Sequence, residues 1–210
     1  MLVYIVRHGE SEVPTKGKGH TTEERHLTAA GRLWAKRVVS VAEKELGFRP
    51  GLILSSPLAR AKETAEIARE TLDLKLEVQV EPCLLGETPV TEVYATLRKL
   101  RSAESVALVS HLPLIDHLVA DLLGAESEIR LHTGAIAGIQ CKGLPGHAKG
   151  SLRWLLPPLQ WFDTASSGPT RKPGGGGFVG VSEKRKTTVA GQEDGEGNRR
   201  TPREKGPSRY

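Results

Sequence analysis

Apolar residues recur along the first 160 positions in two alternating patterns: short unbroken runs and longer stretches with helical spacing. Residues 2–6 form a continuous apolar run, as expected for a strand buried on both faces. Thr28 is placed to cap a helix reaching about Leu46, with Leu33, Val38, Val41 and Leu46 on one side and Gly47 just past its end. Residues 51–54 predict a second strand. Ser56 and Pro57 read as the cap and first position of a helix whose Leu58, Ala61, Ala65, Ala68 and Leu72 share a face. Residues 76–80 predict a third strand, and Pro89 opens a helix carrying Val93, Leu97 and Leu100. Residues 105–109 predict a fourth strand, followed by a helix from Pro113 with Ile115, Leu118, Val119 and Leu122 inward. Residues 134–141 and 151–155 predict a closing strand pair around a glycine-rich loop.

Strands that alternate with helices imply an α/β domain, a three-layer αβα sandwich with a mostly parallel central sheet. The composition changes near residue 163. Beyond it lie Pro169, the run Gly174 to Gly177 and mixed charges such as Glu183-Lys184-Arg185-Lys186, while large apolar residues nearly vanish. Such a stretch buries too little apolar surface to offset its ordering entropy. The expected organisation is a domain over 1–162 and a disordered, weakly basic tail over 163–210.

Charge narrows the function. The chain carries a formal +5, but residues 163–210 hold ten Lys/Arg against six Asp/Glu, which leaves the domain nearly neutral. The basic pI is therefore no argument for nucleic-acid binding. Cys83 and Cys141 stand far apart, outside any metal or disulfide pattern. The opening apolar run is too short for a signal segment and no stretch approaches a membrane span, so a soluble, cytoplasmic protein is expected, most simply a monomer.

In parallel α/β sheets, sites form beyond the carboxyl ends of the strands. Three polar elements follow apolar strands directly: Arg7-His8-Gly9-Glu10, Ser55-Ser56 with Arg60 soon after, and Ser110-His111 before Pro113. If the strands are neighbours, Arg7, His8, Arg60 and His111 converge with two helix N-termini. Arginine forks and helix N-termini bind phosphate oxygens. A histidine with one unprotonated ring nitrogen can attack phosphorus. His111 could serve as a cation that stabilises the equatorial oxygens. With that much positive charge, no metal and no cofactor is required. Ser55 and Ser56 read as capping residues, and Trp34, Trp154 and Trp161 as packing anchors. His20, His26, His117, His132 and His147 read as surface or packing residues.

These residues carry a resemblance. The strand followed by Arg7-His8-Gly9-Glu10 resembles the opening of the histidine phosphatase superfamily, also called phosphoglycerate mutase-like. Leu27-Thr28-Ala29-Ala30-Gly31 resembles its L-T-x-x-G helix start, residues 55–65 resemble its S-S-P-x-x-R-A-x-x-T-A segment, and Ser110-His111 matches its second histidine. Within the superfamily the chain is most similar to the small SixA-type phosphohistidine phosphatases. Ser110-His111-Leu112-Pro113-Leu114 resembles their S-H-L-P-L, and Arg25-His26-Leu27-Thr28 resembles their R-P-L-T with His26 in place of proline.

The resemblance implies a phosphoglycerate mutase-like fold and a two-step reaction. His8 takes the phosphoryl group and water then releases it, with Arg7, Arg60 and His111 on the oxygens and Arg25 as a further phosphate ligand. Glu87 is the candidate acid for the leaving group, ahead of Glu81. The implied substrate is phosphohistidine in a protein. A phosphatase of small phosphomonoesters on the same fold is the alternative, and a non-catalytic phospho-ligand or partner-binding module a second. A mutase is disfavoured, because no lid-sized insertion is visible.

Overall fold

The computed structural model describes residues 1–13, 24–127 and 129–159. The expected 163–210 tail, His20 and Trp161 lie outside the described residues. Strand β1 (Leu2–Arg7) leads to α1 (Ala29–Leu46), β2 (Leu52–Ser55), α2 (Ala59–Thr71) and β3 (Val78–Val80). A 3-10 turn (Pro82–Leu84), α3 (Val90–Lys99), β4 (Ser105–Ser110), α4 (Leu114–Leu123) and the pair β5 (Ile136–Cys141) and β6 (Gly150–Leu156) follow.

The six strands make one sheet in the order β3-β2-β4-β1-β5-β6. The first four are mutually parallel, and β5 and β6 are antiparallel additions at one side. Alternate residues of each strand point to opposite faces, and both faces are covered. Val3, Ile5, Val106 and Leu108 pack with Val93 and Leu97 of α3 and Ile115, Leu118 and Leu122 of α4. Tyr4, Val6, Ala107 and Val109 pack with Val38, Val39 and Ala42 of α1 and Ala61, Ala65 and Ala68 of α2. These two cores define the three-layer αβα arrangement.

Local chemistry explains where elements begin. The Thr28 hydroxyl accepts from the Gly31 N–H at 2.8 Å and caps α1, and Gly47 closes the helix in a left-handed conformation. Two expectations are corrected. The inward face of α1 is Gly31, Ala35, Val38, Val39 and Ala42, whereas Leu33 is half exposed. Small residues face inward because α1 packs closely on α2. Helix α2 begins at Ala59 behind Leu58, not at Pro57; the Ser56 hydroxyl accepts from the Leu58 N–H at 3.4 Å and also meets His111 Nε2.

Strand register positions the site. Arg7 stands opposite Ser110 across β1 and β4, and Ser55 stands opposite Val109 across β2 and β4. One residue further along β1 and β4 are His8 and His111, level with each other, while Ser56 on β2 follows one step earlier, level with Ser110 and Arg7.

Candidate active site

His8 is almost fully buried at the end of β1. Its backbone N–H donates to the Ser110 carbonyl at 3.1 Å, and its own carbonyl accepts from the Gly134 N–H at 3.0 Å. Its side-chain Nδ1 lies 2.7 Å from the Gly9 carbonyl oxygen. A carbonyl can only accept, so Nδ1 carries the proton and Nε2 keeps its lone pair. Arg60 donates its Nε–H to that Nε2 at 3.2 Å. Burial pushes the His8 ring down to about 3. The Gly9 hydrogen bond opposes the shift, and Arg60, His111 and Arg7 add to it. The ring is neutral at physiological pH, the form that can attack phosphorus.

His111 follows β4, with its ring centroid 5.8 Å from that of His8. The Ser56 hydroxyl lies 3.1 Å from His111 Nε2, while the buried Nδ1 has no partner among the described residues. Burial, with Arg60 and Arg7, pushes His111 down to about 4. In the unliganded site the ring is neutral at physiological pH, first through burial and then through the two guanidiniums beside it. Ser56, expected as a cap, is the partner of this ring.

Arg7 donates from Nη1 to the Leu131 carbonyl at 2.7 Å, and its buried Nε has no partner among the described residues. Arg60 is buried in the first turn of α2. A donor and a ring nitrogen left unsatisfied inside a protein are costly unless a ligand completes them. Here Arg7 Nε and His111 Nδ1 belong to the same cluster of strand ends, where an anion would use both.

Thr64 braces this arrangement from α2. Its hydroxyl accepts from the Gly9 N–H at 3.0 Å and donates to the Arg60 carbonyl at 2.7 Å. It thereby ties the loop after β1 to the helix carrying Arg60. Gly31 permits the loop's approach: a Cβ there would sit 2.1 Å from the Glu10 carbonyl oxygen. Glu63 accepts from the Leu27 N–H at 2.8 Å, pairs with Arg32 at 2.8 Å and holds the His26 ring. His26, in the position where the resembled pattern has proline, is thus anchored by a carboxylate.

The remaining expected residues sit at the edge. Arg25 donates to the Glu12 carbonyl and the Ser11 hydroxyl; burial lowers Arg60, and the charge of Arg25 adds to that shift. Glu87 is exposed in the loop after the 3-10 turn. Its neighbour Gly86 packs so closely that a Cβ would stand 2.6 Å from the Leu112 carbonyl oxygen and 3.4 Å from the His111 ring. Glu81 also lies in this connection, half-buried, donating its N–H to the Ser55 carbonyl. Among the described residues, no group of three or more His, Cys, Asp or Glu is placed to hold a metal ion. No described helix is long and apolar enough to cross a membrane.

Motif spacing left Thr64 and Asp116 without a role, and gave Ser56 only that of a cap. Thr64 had a signal, one helical turn after Arg60 within the segment at 55–65. Asp116 had none.

The sheet order, with paired histidines and arginines at its carboxyl edge, defines a class: α/β phosphatases built around histidine. Residues 3–85 match the model of the histidine phosphatase superfamily, branch 1. The chain is 32% identical over 155 residues to the phosphohistidine phosphatase SixA homolog of Haemophilus influenzae, covering 68% of this chain and 90% of that protein. It is 29% identical over 160 residues to phosphohistidine phosphatase SixA of Escherichia coli, covering 75% and 94% respectively. Its fold is similar to that of protein histidine phosphatase SixA complexed with tungstate, with a TM-score of 0.67, 29% identity and coverage of 77% and 99%. The chain belongs to the histidine phosphatase superfamily.

Proposed function

We propose that this chain removes phosphate from phosphohistidine in a protein, through a covalent phosphohistidine on His8. The observation that carries the reading is the 2.7 Å contact from His8 Nδ1 to the Gly9 carbonyl, which leaves Nε2 as an unprotonated nucleophile beside Arg60. In the first step His8 Nε2 forms a bond to phosphorus while the bond to a nitrogen of the substrate's ring-protonated imidazole breaks, and neutral imidazole leaves with the electron pair on that nitrogen. In the second step water attacks phosphorus, inorganic phosphate departs and His8 regains its lone pair. Arg7, Arg60 and His111 hold the equatorial oxygens, and Arg25 adds positive charge at the rim.

A P–N leaving group suits this site. The departing imidazole is far less basic than an alkoxide, so it depends little on a general acid. The candidate acid Glu87 is an exposed loop residue, consistent with an assisting role. Residues 1–162 form the catalytic domain in this reading, and two free cysteines suit a reducing cytoplasm. The similarity to SixA proteins supports the substrate assignment.

The test uses a protein carrying labelled phosphohistidine, quenched in alkaline denaturant because phosphohistidine is acid-labile. Label should pass transiently to the wild-type chain and never to His8→Ala. Turnover by His8→Ala, or efficient turnover of small phosphomonoesters alone, would overturn the proposal.

A further inference from the structure

Asp116 is a buried carboxylate in the first turn of α4, 7% exposed, and the reaction outlined above does not use it. An acidic residue in a first helical turn has a bland explanation in the helix dipole. That explanation requires neither burial nor a partner outside the helix. Asp116 has both: its Oδ1 accepts from the Leu131 N–H at 2.9 Å. The carbonyl of the same Leu131 accepts from Arg7 Nη1 at 2.7 Å. Leu131 is itself fully buried, so its side chain fixes the segment in the core while its two backbone polar groups bond in two directions.

We propose that Asp116 is a positioning residue that sets the Arg7 guanidinium for phosphate through the backbone of Leu131. The inference rests on the assignment of Arg7 as a phosphate ligand. Among the described residues one hydrogen bond from Arg7 holds its fork, and that bond ends on Leu131. If Leu131 rotates or shifts, the partnerless Nε of Arg7 moves with it. Asp116 prevents this by holding the N–H side of the residue whose C=O side holds Arg7. Its charge also faces Arg7, where it opposes the effects of burial and of Arg130. Because α4 begins directly behind His111, and the Ile115 N–H donates to the His111 carbonyl at 3.3 Å, one helix start sets both groups. His111 is set through the chain, and Arg7 through Leu131.

The experiment is a double-mutant cycle on inorganic phosphate binding, followed by calorimetry with the full chain. Asp116→Ala should weaken phosphate binding about tenfold, within the range of coupling seen between residues of one network. Arg7→Ala should weaken it at least as much, and Arg7→Ala/Asp116→Ala no further than Arg7→Ala alone. Asp116→Asn keeps an acceptor for Leu131 and should recover binding to within about threefold of wild type. Multiplying losses in the double variant, or an Asn variant as weak as Ala, would overturn the proposal. Normal phosphate binding by Arg7→Ala would instead overturn the assignment of Arg7. That outcome is distinct from a defect in Asp116 alone.

Discussion

Arg60 Nε–H points at His8 Nε2 across 3.2 Å, so the lone pair proposed to attack phosphorus is already bonded to a guanidinium proposed to bind phosphate. Both groups are buried, and neither can turn to bulk water. A phosphate arriving between them takes over the guanidinium as a stronger, charged acceptor and frees the nitrogen for attack. In the proposed reaction burial keeps His8 neutral, the pairing orients it, and one hydrogen bond is exchanged on binding.

The pH behaviour follows from the two histidines. Folded His8 and His111 protonate near 3 and 4, while unfolded histidine protonates near 6.5. Between those limits the unfolded chain binds more protons, so stability is full above about 6.5 and falls as the pH drops toward 4. Thermal unfolding should show a falling Tm over this window, with a shallower slope in His8→Asn/His111→Asn. Nitrogen-15 spectra of His8 should show the Nδ1–H tautomer unchanged from pH 8 to 5. A His8 titration near 6.5 would contradict the assignment.

Ser56→Ala removes the partner of His111 Nε2 without touching phosphate ligands. A lost neutral hydrogen bond costs about 1 kcal/mol, or about a fivefold effect. Steady-state kinetics should show that loss in kcat/KM with Tm little changed. A Ser56→Thr variant, which retains the hydroxyl, should be closer to wild type.

Gly31→Ala places a Cβ 2.1 Å from the Glu10 carbonyl oxygen, where backbone rather than a flexible side chain must yield. The expected destabilisation is about 1–3 kcal/mol, read as a lower midpoint in urea with an unchanged slope. Activity should fall too, because the same loop carries the Gly9 carbonyl that fixes the His8 tautomer.

Glu87→Gln separates the two substrate classes. Losing a general acid costs roughly 10²-fold or more when the leaving group needs a proton in the transition state. A phosphomonoester with a poor leaving group should suffer that loss, and phosphohistidine protein should suffer little. Equal losses on both would make Glu87 essential to either reaction.

Thr64→Val removes the acceptor of the buried Gly9 N–H and the link to the Arg60 carbonyl. Leaving a buried donor unsatisfied costs about 1–3 kcal/mol. Chemical denaturation should report that loss, and the Val variant should also bind inorganic phosphate more weakly than wild type.

The sequence by itself determined the layers and the set of polar groups that follow the strands. Apolar runs such as residues 2–6 must be covered on both sides, which requires helices on two faces and places polar strand ends at the edge. Arg7, His8 and His111 were legible because each directly follows such a run, and Arg60 because its Ser-Ser-Pro context is distinctive. What depends on distant backbone was not legible. The α1 face faltered at Leu33 because close packing, not hydrophobicity, chose the inward residues, with Gly31 set against the Glu10 backbone. The charge of His111 depended on how much cation tertiary packing gathers around a buried ring. Ser56 and Asp116 acquire their roles through a ring 55 residues away and a backbone N–H 15 residues away. Periodicity and motif spacing report which face a residue occupies. They do not report which distant polar atom completes its hydrogen bond, and tertiary structure alone decides that.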